Sequence, residues 1–215
     1  MSQGEYFCGT CKVHGCLKGD TGKMPGNCPS LDKAGKEIKE MYTGEDLFLA
    51  KQAAKVESEG YCRKTRVEEI MDFARKCGFK KIGVAFCTGL RKEMAVLNKI
   101  LTVNGFTVSS VICKNCSIPK EFLGLEEQDK VRPGTFEAMC NPIGQAYFLN
   151  KTKTELNLVL GLCVGHDTLF IKHSQAPVTV LAVKDRVLGH NPMAAIYMAE
   201  GYYKKKLLPE NTGEK

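Results

Sequence analysis

From residue 79 onward the chain alternates short apolar runs with stretches of helical periodicity. KKIGVAFC reads as a buried strand ending at Cys87, and LRKEMAVLNKILTVNG places Leu90, Met94, Leu97 and Leu101 on one helical face. FTVSSVIC is a second strand ending at Cys113, which completes a βαβ unit. A turn-rich stretch, KVRPGTFEAMC, leads to a helix opened by Asn141-Pro142, and LNLVLGLC is a third strand ending at Cys163. Asp167 caps a short helix through TLFIKHSQ, VTVLAV is the fourth strand, and Asn191-Pro192 opens a last helix through AAIYMAEGYYKK. Asparagine as N-cap followed by proline at the first helical position is a strong start signal at both places. Strands alternating with helices predict an α/β fold: a Rossmann-like open parallel sheet of about four strands with flanking helices.

Upstream, Thr43 caps a helix through DLFLAKQAAKVESEG, and Thr65 with Glu68 forms a capping box for VEEIMDFARKCG. Val67, Ile70, Met71, Ala74 and Cys77 share one face of that helix, so Cys77 reads as a core residue. Residues 1–37 differ in texture: four cysteines, many Gly and Lys, and no apolar periodicity. Such a segment cannot build its own core, so a bound metal is expected to order it. The predicted organisation is a cysteine-rich metal-binding module over 1–37 and an α/β domain over 38–215.

Composition is that of an ordinary globular chain: 215 residues, 43% hydrophobic and 26% charged. No apolar run is long enough to cross a bilayer and no apolar core follows the first methionine, so a cytoplasmic location is expected. The formal charge of +7 comes from lysines interspersed with acids, which does not point to nucleic acid. Cysteine is the anomaly, with 11 residues in a chain expected to stay in a reducing compartment. Thiol chemistry or metal ligation is the reading this favours over disulfides.

Cys8-x2-Cys11-x4-Cys16-x11-Cys28-Pro29 supplies four thiolates close in sequence, enough for a structural zinc or an iron–sulfur cluster. The single Cys-x2-Cys knuckle and the proline after the last cysteine favour iron–sulfur. His14 lies within this run and reads as a bystander. A second set comes from topology. Cys87, Cys113 and Cys163 end three strands, and Cys140 precedes a helix N-cap, so all four belong at the carboxyl edge of the sheet. A thiol there is favoured as thiolate by the helix N-terminus. His166 reads as a donor to a metal-bound thiolate beside Cys163, with Asp167 as cap. Cys116 is an accessory thiol, Cys62 and His190 have no assigned role, and Lys184, Asp185 and Arg186 form a charged turn on the same edge. No Gly-rich fingerprint follows a strand, so no nicotinamide or flavin dinucleotide is expected.

The segments AFCTGLRKEM, CNPIGQAYFLN and LNLVLGLCVGHDTLFIKHSQAPVTVLAVKDRVLGHNP, with the leading Cys-x2-Cys-x4-Cys, resemble the domain of unknown function 1847 family from Cys8 to about Tyr197. The resemblance implies metal binding by cysteines in an anaerobic cytoplasm, without an established reaction. It implies roles for Cys8, Cys11, Cys16, Cys28, Cys87, Cys113, Cys140, Cys163, His166 and Asp167. It also implies small residues where Cys116 stands, which weakens that thiol as a ligand.

The expectation is therefore a metal-binding protein holding 4Fe-4S clusters in preference to zinc, with a redox or cluster-dependent role. A redox partner protein or a small-molecule substrate would serve it; nucleic acid and membrane are not expected partners. Two alternatives stand beside it: a zinc-binding structural or metal-handling protein, and an enzyme using Cys163 or Cys87 as nucleophile on a small substrate.

Overall fold

A computed structural model of the chain describes residues 6–209, so residues 1–5 of the expected N-terminal module and residues 210–215 lie outside the described residues. The chain divides into two compact units, one ending at Ser58 and one beginning at Glu59. In the first, short 3-10 turns at Cys8–Thr10, Gly15–Lys18, Thr21–Lys23 and Pro29–Leu31 precede helices α1 (Gly35–Met41) and α2 (Gly44–Gly60). Helix α1 lacks an apolar stripe and was not legible from periodicity.

The second unit is α/β. Helix α3 (Arg66–Cys77) begins at the expected capping box, with Thr65 accepting from the Glu68 N–H and Glu68 reaching back to the Thr65 N–H. Four parallel strands follow, β1 (Lys81–Phe86), β2 (Thr107–Ile112), β3 (Leu156–Leu162) and β4 (Val178–Val183), in the spatial order β2-β1-β3-β4. Between them lie α4 (Arg91–Val103), α5 (Pro142–Lys151) and α6 (His166–His173). One face of the sheet packs Ile82, Val84, Leu156 and Leu158 against Ile70, Met71 and Ala74 of α3 and Met94, Leu97 and Leu101 of α4. The other face packs Ala85, Val159 and Leu162 against Ala146 and Leu149 of α5 and Phe170 of α6. The crossovers through α4 and α6 run in opposite directions from the centre and lie on opposite faces, as a single handedness requires. The chain reverses direction across the sheet between β1 and β3, so their carboxyl ends flank the crevice where such sheets bind ligands.

Two features depart from the sequence reading. The last helix is broken into α7 (Met193–Tyr197) and α8 (Lys204–Leu207). Met193, Ile196, Tyr197 and Tyr202 all stay exposed, so no apolar face is buried to hold a continuous helix together. Helix α6 begins at His166 with Gly165 as N-cap, so Asp167 lies inside the first turn and is not the cap; its Oδ1 accepts the Thr168 N–H at 2.9 Å. Among the described residues no helix is long and apolar enough to cross a membrane.

Strand β3 carries the irregularity that shapes the edge. Leu156, Leu158 and Leu160 face α3 and α4, whereas Val159 faces α5 and α6, as strict alternation demands. Continued alternation would send Cys163 to the α5 side. Instead the register against β4 slips between Val159 and Leu160 and again between Leu160 and Leu162. Gly161 takes φ +67°, and a Cβ there would stand 2.3 Å from Leu90 Cδ1, so glycine is required on two counts. Leu162 joins the α5–α6 cluster, and Cys163 leaves the strand one residue out of phase with Cys87.

Candidate functional site

Cys87, Cys113 and Cys140 come together at the carboxyl edge from three separate segments. Cys87 directly follows β1 and Cys113 directly follows β2; their N–H groups continue the ladders to Leu160 O (3.1 Å) and Phe86 O (2.9 Å). Cys140 immediately precedes Asn141, the N-cap of α5, whose Oδ1 accepts the Gly144 N–H at 2.9 Å. The three sulfurs share a buried cluster with Ala85, Ala146 and Leu162, and Cys113 hydrogen-bonds to both neighbours.

The turn after β1 supplies backbone donors to this group. The Thr88 N–H points to Cys113 Sγ at 3.3 Å, and the Gly89 N–H points to the Cys87 sulfur. Cys113 therefore shares its one S–H between two flanking sulfurs while receiving from the backbone. The Cys87 thiol is brought down to about 5, chiefly by Cys113, with burial opposing and the Gly89 N–H and Lys184 ammonium assisting. Cys140 is likewise brought down to about 5 by Cys113, against burial, with Lys114 and His166 adding positive charge. Cys113 is pushed far above the ordinary thiol range by its bonds to Cys140 and Cys87 and by burial. Three sulfur anions cannot share this space unaided, so one proton remains among them.

Cys163 takes a different partner: Arg186 Nη2 donates to its Sγ at 3.0 Å, and it makes no hydrogen bond to the other three sulfurs. His166, the first residue of α6, lies close enough to Cys140 for its charge to lower that thiol, and its side chain makes no hydrogen bond to Cys163. Asp167 is half-buried, with its carboxylate on its own helix. Cys116 is exposed beside Asn115, and Cys62 is exposed. His190 closes the turn after β4: its Nδ1 accepts the Asp185 N–H at 3.2 Å and its own N–H bonds to Asp185 O at 2.9 Å.

Two residues that sequence reasoning missed hold the sulfurs in place. Asn115 Nδ2 donates to Ile112 O and Asn141 O, both at 2.9 Å, and its Oδ1 accepts from Asn141 Nδ2 at 3.1 Å. With the Asn141 N–H on Cys113 O at 2.7 Å, this ties the segment bearing Cys113 to the one bearing Cys140. Gln145, fully buried, donates through Nε2 to Phe86 O (3.2 Å) and Val111 O (2.7 Å), bracing the ends of β1 and β2; its Oε1 has no partner among the described residues. A polar residue amid Pro142, Ala146 and Leu149 on the buried face of α5 was the available signal for Gln145. Nothing local in the sequence marks Asn115.

In the N-terminal unit, Cys8, Cys11 and Cys28 line one small hollow with Phe7, Pro25, Asn27 and Pro29. The N–H groups of His14 and Val13 point to the Cys11 sulfur and lower its pKa; His14 sits at φ +50°. Cys16 is exposed in the following turn and does not line that hollow. As they stand, no three His, Cys, Asp or Glu side chains among the described residues form a group that could hold a metal ion. At the edge the donors are sulfur alone, with backbone N–H groups on two of them and one proton retained among the three; such soft donors suit a soft cation once deprotonated.

A family model described as a protein of unknown function (DUF1847) matches residues 28–181. An uncharacterised protein of Methanocaldococcus jannaschii is 46% identical over 201 residues, covering 94% of this chain and 97% of the relative. No solved structure matches.

Proposed function

The chain belongs to the DUF1847 family, and on that footing we propose that it is a cysteine-ligated metal protein with an iron–sulfur centre at the carboxyl edge of its sheet. The observation that carries the proposal is the meeting of Cys87, Cys113 and Cys140 in one buried group from three distant segments. Small apolar packing would explain one cysteine at a strand end; it does not explain three in hydrogen-bonding contact with peptide N–H groups aimed at two of them.

Cys87, Cys113 and Cys140 would hold the centre, and Cys163 is the candidate fourth donor. When bound, thiolate-ligated iron supplies one-electron chemistry. The chain's own residues prepare the place for it. Thr88 and Gly89 donate peptide N–H groups that stabilise sulfur anions, and Lys114 and Lys184 add cations around them, with the His166 ring close to Cys140. Asn115 and Gln145 fix the segments from below. In the N-terminal unit, Cys8, Cys11 and Cys28, with Cys16 as fourth donor, would hold a second centre, supported by the N–H bonds to Cys11.

Oxygen-free purification should give a brown protein containing iron and acid-labile sulfide. Cys113→Ala should lose the sheet's share and Cys11→Ser the N-terminal share. Colourless protein retaining zinc alone would transfer the proposal to structural zinc, and unchanged metal in both variants would remove both sites. A thiol-enzyme reading draws on one observation, the Lys184 ammonium and Gly89 N–H beside a Cys87 thiol lowered to about 5. A limiting alkylating reagent that singled out Cys87 in metal-free protein would favour it.

A further inference from the structure

We infer that the same edge carries a receptor for an oxyanion group, phosphate or carboxylate, of a small-molecule substrate, with Lys184 and Arg186 as its recognition groups. The inference rests on reading the edge as the functional site, and does not depend on which metal the thiols hold.

Lys184 follows β4 yet reaches back over β3 to β1. Its Nζ would lie 3.7 Å from a Cβ at Gly161 and 3.7 Å from one at Gly89, and it neighbours the Cys87 thiol. Both positions lack a side chain, so the ammonium stands over bare backbone at the crevice between β1 and β3, where an open parallel sheet receives its ligand. Arg186 commits one N–H to Cys163 Sγ, and its remaining N–H groups have no partner among the described residues. A single sulfur acceptor leaves further donors on each cation.

Among the buried and half-buried lysines of this unit, Lys64, Lys76, Lys120 and Lys130 pair with carboxylates at 2.5 to 3.1 Å, and Lys81 and Lys114 bond main-chain carbonyls. Lys184 and Arg186 pair with no carboxylate among the described residues, although Asp185 stands between them and Asp167 lies just after β3. Asp185 Oδ1 accepts the Val187 and Leu188 N–H groups at 2.9 and 2.7 Å, and Asp167 accepts from Thr168. Lys184, half-buried, and Arg186, two residues on and exposed, each have a sulfur as their described partner, and an oxyanion from outside would complete their remaining donors. The guanidinium fork suits two oxygens of one phosphate or carboxylate and the ammonium a third contact.

Titration of the full-length protein with inorganic phosphate and, separately, with malonate, followed by 1H–15N NMR, tests this. Saturable shifts at Gly89 and Gly161 are expected with at least one anion, and the stronger of the two identifies the group. Lys184→Met and Arg186→Met should each weaken that affinity about tenfold or more, the loss of a charge-assisted hydrogen bond. No saturable shift with either anion, or equal affinity in the variants, overturns the inference. So does loss of metal from Lys184→Met with anion affinity intact, since the cations would then serve the centre itself. If metal counting fails but the anion shifts persist and depend on Lys184, the metal proposal falls and the receptor stands.

Discussion

Replacing Gly161 by alanine tests the bulge that sets the carboxyl edge. Two costs add at this position. The backbone sits at φ +67°, where a Cβ costs about 1 to 2 kcal/mol. The new methyl would also stand 2.3 Å from Cδ1 of Leu90, a core residue only 6% exposed, so Leu90 must leave its rotamer at about 1 to 3 kcal/mol. The sum is about 2 to 5 kcal/mol. Gly165→Ala is the matched control: φ is +83°, but nothing lies within 4 Å of its Cβ, so only the backbone cost applies. Urea unfolding followed by far-ultraviolet circular dichroism should therefore rank Gly161→Ala well below Gly165→Ala in midpoint at equal slope. Adding Leu90→Ala should cost less in the Gly161→Ala background than in the wild type, because the clash has been relieved. Equal midpoints for the two glycine variants, or strict additivity with Leu90→Ala, would refute the reasoning that β3 is bent against Leu90.

Two further outcomes are expected. In metal-free protein the Cys140 thiolate forms as pH rises through about 5, so its alkylation by iodoacetamide should climb there and plateau well before neutrality. Cys113→Ala removes the main cause and should move that midpoint upward, and Lys114→Met should move it the same way by less; a midpoint unmoved in both would contradict the assigned causes. Leu97→Ala, 5% exposed between α4 and the sheet, should lose about 2 to 4 kcal/mol in urea unfolding while leaving metal content intact, because its cluster contains none of the thiols. A loss under 1 kcal/mol would show that this face is loosely packed.

Much of the fold was readable because its signals are local. The Thr65/Glu68 box, the Asn141-Pro142 start, and Leu90, Met94, Leu97 and Leu101 on one face are set by neighbours three or four residues apart. The convergence of Cys87, Cys113 and Cys140 was readable because parallel topology sends every strand end to one edge. Cys163 belongs to that edge too, but its phase was hidden: the slip at Gly161 depends on Leu90, far away in sequence. The same limit applies to Asn115 and Gln145, whose partners lie on other segments. Helix α1 and the break between α7 and α8 escaped for a different reason, since neither carries a buried apolar stripe for periodicity to detect.

The clamp beneath Cys113 and Cys140 has a consequence for how this protein can diversify. Asn115, Asn141 and the Cys113 carbonyl pin the two feet of the excursion over residues 114–139, and that excursion braces itself through Lys120 with Glu137 and Lys130 with Glu121. Its outer surface, where Phe122, Val131 and Phe136 are exposed, is mechanically separate from the paired sulfurs at its base. A flap of another length or polarity would thus change what approaches the edge while the clamp keeps the sulfur-bearing segments in place.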